Sequence, residues 1–319
     1  VLEEVIISAT LISLRSIKAT FKRKFMFVRV LVRVIFCILL FCLPFSWATT
    51  FVLPTKGDLV GELHYATPQM GETLSELGIR YDIGYYEMVR ANPKADPARP
   101  LSPEMRLVIP SQYILPRVPH EGIVINLAEY RLYYFPPDNN VVLTMPVGIG
   151  REGWTTPLGL TKVIRKERDP VWRPTAKLQE EAEKKGMPIP NTFPPGEANP
   201  LGRHVLRLEW PTYLIHGTNR RDGVGARVSA GCIRMMPEDI EYLFDFVAVG
   251  TPVRIINEPI KIGYQKGKLY MQAHPLLIEQ NGSNLNSLAD VLLKAKRANN
   301  QLVREELMHP SGIPKKITG

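Results

Sequence analysis

Residues 214–236 read Leu-Ile-His-Gly-Thr-Asn-Arg-Arg-Asp-Gly-Val-Gly-Ala-Arg-Val-Ser-Ala-Gly-Cys-Ile-Arg-Met-Met, and the interpretation of the chain starts from them. His216 and Cys232 stand sixteen positions apart, at the two ends of a loop rich in glycine and arginine. That spacing is too long for one helix face, but it suits two adjacent strands or loop ends that bring the side chains together. A cysteine nucleophile usually has a neighbouring imidazole that takes its proton. The pattern therefore predicts a nucleophile, Cys232, and its base, His216.

The residues around the cysteine are candidates for stabilising charge and binding substrate. Gly231 permits a tight turn that would aim the amides of Gly231 and Cys232 at a developing oxyanion. The Ser229 hydroxyl is a further oxyanion candidate, or alternatively a local turn-former. Arg234 is a candidate for holding a substrate carboxylate, and Arg227 is a second one.

Two blocks in this order, His216-Gly-Thr218 and Ser229-Ala-Gly-Cys-Ile-Arg234, resemble the catalytic signature of the L,D-transpeptidase (YkuD-type) family. Thr156-Pro-Leu-Gly159 resembles another block of the same family. The resemblance covers roughly residues 121–257 and implies a mainly β catalytic domain, a β-sandwich with a helix after the catalytic cysteine. It also implies that a backbone carbonyl near Gly217 orients the histidine.

The resemblance implies a substrate as well. Family members act on peptidoglycan stem peptides, so Cys232 would form a thioester with the stem and pass it to an amine. The acceptor would be a second stem peptide or the lysine of an envelope lipoprotein, and carbapenems would acylate the thiol. Two alternatives stay open: a thiol L,D-carboxypeptidase in which water replaces the amine, and a non-catalytic wall-binding protein. The histidine and cysteine argue against the latter, since a binding protein has no need of the pair.

The first 48 residues differ in composition from the rest of the chain. They carry seven Lys or Arg and two Glu, a net charge of +5, which leaves +4 of the total +9 for the other residues. Cationic residues followed by an apolar run and Ser46-Trp-Ala48 predict a secretory signal peptide, with Met26 as a possible true start. An uncleaved membrane anchor is the alternative. The basic excess thus belongs to export to the periplasm, and no nucleic-acid partner is predicted.

Cysteine usage follows from this assignment. Cys37 and Cys42 lie in the predicted signal peptide, so the exported chain retains Cys232 alone. A lone thiol has no internal disulfide partner, which favours a nucleophile over the other interpretation, a buried small hydrophobic residue. The histidines show no spacing typical of metal ligands, so neither a metal nor another cofactor is predicted.

Residues 49–112 are interpreted as a small β-α-α-β module that resembles LysM, after a short leader at 49–64. Thr73 is positioned to cap a first helix, and Leu107 and Ile109 alternate like a closing strand. The resemblance implies binding to the peptidoglycan glycan, and a spacer that only orients the catalytic unit is the alternative. A linker is expected at 113–120, followed by the catalytic domain at 121–257.

Three further segments complete the sequence-based picture. Pro237 is expected to open a helix directly after the Cys232 loop. The charged and then proline-rich stretch 176–200 is either a lid over a binding groove or a solvated surface excursion. Residues 258–319 are a C-terminal extension with a helix expected at about Leu288–Leu307.

Overall fold

A computed structural model describes residues 49–277 and 298–318. The strands in these ranges are β1 (Thr49–Val52), β2 (Leu59–Gly61), β3 (His64–Ala66), β4 (Leu107–Ile109), β5 (Gln112–Ile114), β6 (Gly122–Asn126), β7 (Arg131–Phe135), β8 (Val141–Gly150), β9 (Gly159–Arg168), β10 (His204–Leu208), β11 (Leu214–His216), β12 (Arg227–Ser229), β13 (Ile233–Met235), β14 (Pro252–Ile256), β15 (Ile260–Gln265), β16 (Lys268–Ala273) and β17 (Lys315–Lys316). The helices are α1 (Leu74–Arg80), α2 (Tyr85–Ala91), α3 (Ala176–Lys184), α4 (Pro237–Phe246) and α5 (Asn300–Met308). The predicted signal peptide and the first half of the helix expected at Leu288–Leu307 lie outside the described residues, and α5 lies in the second half.

The catalytic domain is mainly β, as the sequence predicts. Its strands run in the order β1-β8-β13-β11-β10-β9-β14-β6-β7, and β7 pairs again with β8, so the sheet returns on itself. The long strands β8 and β9 make this possible, because each pairs with one set of neighbours through its first half and another through its second. The active-site strands β11 and β13 are parallel neighbours, whereas most other pairs are antiparallel.

Alternating apolar residues of these strands form one large core. Ile125, Leu132, Val163 and Ile215 are almost fully buried in it, with similar residues from the other strands. Helix α4 begins at Pro237, as predicted, and adds Ile240, Leu243 and Val247 to the same core. Burial of each such side chain favours folding by roughly 1.5–3 kcal/mol, which fixes α4 and the strand before it against the sheet.

The predicted β-α-α-β arrangement is present at residues 64–109. Thr73 caps α1 in a reciprocal capping box with Glu76, and β3 pairs antiparallel with β4. Leu74, Leu77 and Met88 are fully buried in a core of their own, distinct from that of the catalytic domain. This 64–109 unit is called the N-terminal module below.

The segments on either side of the module differ from their sequence-based interpretation. Residues 49–64 were expected as a leader, but β1 extends the catalytic sheet by pairing with β8, and β2 pairs with β5. The expected linker at 113–120 begins inside β5, where Tyr113 and Leu115 are buried against Val124 and Tyr133. In both segments apolar residues alternate with polar ones, and the apolar side chains are more stable packed against the sheet than exposed to water.

The C-terminal residues form a small sheet of β15, β16 and β17 against which α5 packs. Lys261 on β15 is fully buried, donates to the Ile114 carbonyl and forms an ion pair with Glu129, so this sheet is joined to the rest by charge as well as by apolar contacts. None of the helices in the described ranges is long and apolar enough to cross a membrane.

Candidate active site

Strand pairing brings the predicted nucleophile and base to one place. In the parallel pair of β11 and β13, Ile215 lies beside Ile233 and His216 beside Arg234. Because side chains alternate, the two isoleucines enter the core while His216, Arg234 and the preceding Cys232 face the other side. A strand spacing of about 4.8 Å and a two-residue rise of about 6.6 Å put the backbones of Cys232 and His216 roughly 8 Å apart, within reach of their side chains. Both residues line one cavity of about 790 Å³.

The imidazole of His216 is fixed in one tautomer. Its Nδ1 lies 2.6 Å from the Gly217 carbonyl oxygen. A carbonyl can only accept, so Nδ1 carries the proton and Nε2 keeps the lone pair that a base needs. Only 4% of the residue is exposed. Burial, with a smaller effect of Arg234, lowers the pKa of His216 to about 4, well below the unperturbed value of 6.5.

The thiol of Cys232 is neutral in the same environment. Its Sγ faces the cavity and lies 3.5 Å from the Thr212 carbonyl oxygen, to which it donates. Cys232 is half-buried, and its desolvation by the surrounding protein raises the pKa of the thiol to about 11. The Leu214 amide, Arg207 and Arg234 act in the opposite direction and are outweighed. With pKa values of about 11 and about 4, the proton stays on sulfur in the resting enzyme.

The turn before the nucleophile is held by its own hydrogen bonds. The Gly231 amide donates to Ser229 Oγ over 3.1 Å, and Ser229 Oγ donates to the Cys232 carbonyl over 2.5 Å. Thr156 Oγ1 donates to the Gly231 carbonyl over 2.9 Å, which joins the predicted Thr156 block to the turn. Gly231 has φ +102°, a conformation that favours glycine. Of the predicted oxyanion donors, Gly231 and Ser229 are therefore engaged inside the turn.

The two predicted carboxylate-binding arginines lie in different places. Arg234 lines the cavity, and its Nε is buried without a hydrogen-bond partner. Because a guanidinium has five N–H donors, an arginine that lines the cavity can offer others of them to an anionic group of a substrate. Arg227 is not among the cavity-lining residues, and its Nε donates to the Gly150 carbonyl over 3.3 Å.

The cavity contains cationic residues that the sequence did not single out. Among the described residues that line the cavity there is no Asp or Glu. Five lining residues have a cationic side chain: Arg151, Arg173, Lys177, Arg207 and Arg234. Arg207 lies on β10. Glu167 on the neighbouring strand β9 accepts hydrogen bonds from its Nε at 2.7 Å and its Nη2 at 2.9 Å. Nothing local in the sequence marks Arg207, since only the pairing of β10 with β11 brings it to the nucleophile.

The 176–200 segment contacts the cavity through α3. Thr175, Lys177 and Leu178 line it. One oxygen of Glu181 accepts from Arg151 Nη2 and Trp154 Nε1, each over 2.7 Å, which ties α3 to the rim. Of the two sequence-based interpretations, this placement favours a cover over the groove.

Across residues 49–277 and 298–318, no three His, Cys, Asp or Glu side chains are grouped as metal ligands would be. The arrangement has the parts of a cysteine acyltransferase instead. The thiol of Cys232, the oriented neutral imidazole of His216 and the guanidinium of Arg234 lie around one cavity of a mainly β domain.

Comparison with known proteins gives the family. Residues 120–255 match the model of the YkuD family, the L,D-transpeptidase catalytic domain. The chain is 44% identical over 244 residues to the probable L,D-transpeptidase YbiS of Escherichia coli K12, covering 75% of this chain and 79% of that protein. It is 38% identical over 281 residues to the probable L,D-transpeptidase YcfS of the same strain, covering 84% and 88%. A third relative, the probable L,D-transpeptidase ErfK/SrfK of Salmonella typhimurium LT2, is 39% identical over 289 residues, covering 86% and 93%.

The chain belongs to the L,D-transpeptidase family, an acyltransferase class. The family assignment made from the two motif blocks is confirmed.

Proposed function

We propose that this chain is an exported L,D-transpeptidase that acts on peptidoglycan stem peptides through a thioester on Cys232. The observation that carries the proposal is the cavity itself, which Cys232, His216 and the half-buried Arg234 line together. A stem peptide carries several carboxylates, and a cavity lined by cations without acids suits such a donor.

The acylation step follows from the protonation states. Because thiol and imidazole are both neutral at rest, the sulfur attacks the donor carbonyl carbon while His216 Nε2 takes the thiol proton. A Sγ–C bond forms, and the C–N bond to the terminal D-amino acid breaks. The same proton passes from the imidazolium to the leaving amine, so His216 ends neutral.

Deacylation reverses these roles with a new amine. Neutral His216 accepts a proton from the acceptor amine as it attacks the thioester, and returns a proton to the departing sulfur. We assign the oxyanion to the backbone amide of Cys232, because the Gly231 amide and the Ser229 hydroxyl are already engaged within the turn. Arg234, which lines the cavity beside the nucleophile, binds a substrate carboxylate through its guanidinium.

The N-terminal module is proposed to bind the glycan strand, as a LysM domain does. Its β-α-α-β order and the pairing of β3 with β4 support this assignment. Export to the periplasm is proposed from the residue pattern of 1–48. The acyl acceptor is either a second stem peptide or the lysine of an envelope lipoprotein.

Intact mass after incubation with a carbapenem tests the mechanism. Wild type is expected to gain one covalent adduct and Cys232→Ala none; a wild type without adduct, or a variant that retains cross-linking, overturns the mechanism. Products formed from a tetrapeptide donor with and without an acceptor amine then separate the two enzyme classes. Cross-linked product indicates a transpeptidase, whereas a shortened peptide alone indicates the thiol L,D-carboxypeptidase.

A further inference from the structure

The N-terminal module touches the loop between His216 and Cys232 directly. The backbone N–H groups of Tyr85 and Tyr86, in the first turn of α2, donate to the carbonyls of Val224 and Gly225 over 3.4 and 3.1 Å. The first N–H groups of a helix have no partner within the helix, and here the loop carbonyls supply it. Two segments about 140 positions apart in the chain thereby become one structural unit.

Two glycines make this contact possible. A Cβ on Gly225 would overlap the backbone of Gly84 and Tyr85, and a Cβ on Gly84 would lie 2.8 Å from the Gly225 Cα. Gly225 also has φ +78°, whereas Gly84 has φ −68°, which any residue adopts. Glycine at position 84 is therefore required by the close approach of the Gly225 backbone and of the Glu87 carboxylate, whose Oε2 a Cβ would also meet at 2.8 Å, and not by its own backbone conformation.

A buried ion pair holds the helix start in place. Glu87 accepts from Nε and Nη2 of Arg131 on β7, over 2.9 and 3.0 Å, and also from the Gly84 amide over 2.9 Å. The Arg131 side chain is 0% exposed. It donates further to the Asp82 carbonyl and to Thr144 Oγ1, so several groups of the catalytic domain and the module share one guanidinium.

The loop in turn contacts the substrate-binding arginine. A Cβ on Gly223 would lie 2.6 Å from Arg234 Nη1 and 3.5 Å from its Cδ, so the Arg234 side chain packs directly against the loop backbone. Gly223, Val224 and Gly225 are consecutive, and the last two accept the bonds from α2. A displacement of the first turn of α2 is therefore expected to move residues 223–225 and, with them, the guanidinium of Arg234.

From this geometry we infer that Gly84 is a positioning residue for Arg234: the first turn of α2 sets the loop against which the carboxylate-binding guanidinium packs. The N-terminal module is then part of the substrate site and not only an attachment to the wall. This inference rests on the proposed role of Arg234 in binding a substrate carboxylate.

The test compares Gly84→Ala with a sterically matched control, Gly263→Ala. A Cβ at either position would meet its three nearest neighbours at 2.8, 2.8 and 3.3 Å. Gly263 lies on β15, and its neighbours are the side chains of Asp58, Leu59 and Ile114, none of which belongs to the loop. Neither glycine has a positive φ, so the two substitutions differ chiefly in which contact they disturb. All measurements use the full exported chain.

The first readout is substrate discrimination. Donor tetrapeptides are prepared with each carboxylate in turn replaced by a carboxamide, and kcat/KM is measured for each. The carboxylate bound by Arg234 is the one whose amidation penalises wild type, by about tenfold or more, but not Arg234→Gln. Gly84→Ala is expected to lose most of that discrimination, whereas Gly263→Ala retains it. A general loss of folded enzyme would lower kcat/KM equally for the carboxylate and the carboxamide donor, so the ratio of the two values would be unchanged.

A double-mutant cycle sharpens the comparison. In the Arg234→Gln background, Gly84→Ala is expected to have little further effect on kcat/KM, because the group it positions is already gone. Effects of the two substitutions that simply multiply would overturn the inference.

The second readout does not depend on turnover. Hydrogen exchange of peptides covering 217–226 is expected to be faster in Gly84→Ala than in wild type and unchanged in Gly263→Ala. Equal protection of this loop in all three proteins would show that α2 does not hold it. If wild type shows no turnover, the proposed function fails, while the exchange result still decides whether the helix start positions the loop.

Discussion

Alkylation of Cys232 as a function of pH tests whether the resting site holds a neutral pair. Burial raises the pKa of this thiol to about 11 and lowers that of His216 to about 4. A thiolate–imidazolium pair, as found in many cysteine enzymes, would instead keep the sulfur ionised down to acidic pH. Reaction with iodoacetamide, a small neutral reagent, distinguishes the two states because only the thiolate reacts.

The magnitude follows from the raised pKa. Relative to a free cysteine of pKa about 8.5, a thiol of pKa about 11 has roughly 300-fold less thiolate at pH 7. Nucleophilicity rises with pKa with a Brønsted coefficient of about 0.4–0.5, which offsets about tenfold of that deficit. We therefore expect alkylation on the order of 25-fold slower than for a free cysteine at pH 7. The rate should rise close to tenfold per pH unit until about pH 10.

The assay is mass spectrometry of the modified protein over pH 5–10, with Cys232→Ala as the blank. Arg234→Gln should slow the reaction further, because Arg234 lowers the pKa of the thiol. A rate that is flat between pH 5 and pH 9 would refute the neutral pair, since it would show a thiolate throughout that range. A sharp loss of alkylation in His216→Ala would lead to the same conclusion.

Three further predictions concern the surroundings of the site. Glu87→Ala leaves the buried Arg131 without its counter-charge, so urea unfolding should show a loss of about 3 kcal/mol or more, partly restored when Arg131 is also replaced by methionine. Asp239 is fully buried next to the carboxyl of Asp82, and burial raises the pKa of Asp239 to about 7, so the stability associated with its neutral form is present below about pH 3.8 and lost as pH rises through about 7. Asp239→Asn should accordingly be more stable than wild type at pH 8, and the difference in melting temperature should vanish near pH 4. Glu181→Gln weakens the bonds that tie α3 to the rim and should speed alkylation of the nucleophilic thiol several-fold at pH 9. Glu180→Gln, whose wild-type carboxylate pairs only with an exposed lysine, should leave that rate unchanged; equal rates in both variants would show that α3 does not cover the cavity.

The sequence predicted those parts of the fold that depend on local pattern. Thr73 as a helix cap, Pro237 as the first residue of α4 and the closing strand at Leu107 and Ile109 are all where short-range signals put them. The expectation that two adjacent strands or loop ends join His216 and Cys232 is met by β11 and the residue before β13.

The remaining features depend on contacts between distant segments. Arg207 reaches the cavity only because β10 pairs with β11, and β1 joins the catalytic sheet because it pairs with β8, a strand that lies far from it in the sequence. The shifted pKa of His216 was missed because it arises from burial, which one sequence does not show. Gly225 is a local indication of the contact with α2, because a glycine in a loop often marks the close approach of another backbone.

The neutral pair also explains how one site can be slow toward alkylating reagents and still form thioesters. An alkyl halide needs sulfur that is already ionised, whereas an acyl carbon can be attacked while His216 Nε2 removes the thiol proton. The acyl oxygen develops negative charge that the Cys232 amide can stabilise, and the donor carboxylate is held by Arg234, so attack and proton transfer are favoured together. Loss of the imidazole should therefore separate the two chemistries: His216→Ala should slow carbapenem acylation by orders of magnitude while alkylation at pH 9 stays near the wild-type rate. A parallel fall in both would mean that the imidazole ionises the thiol before any substrate arrives.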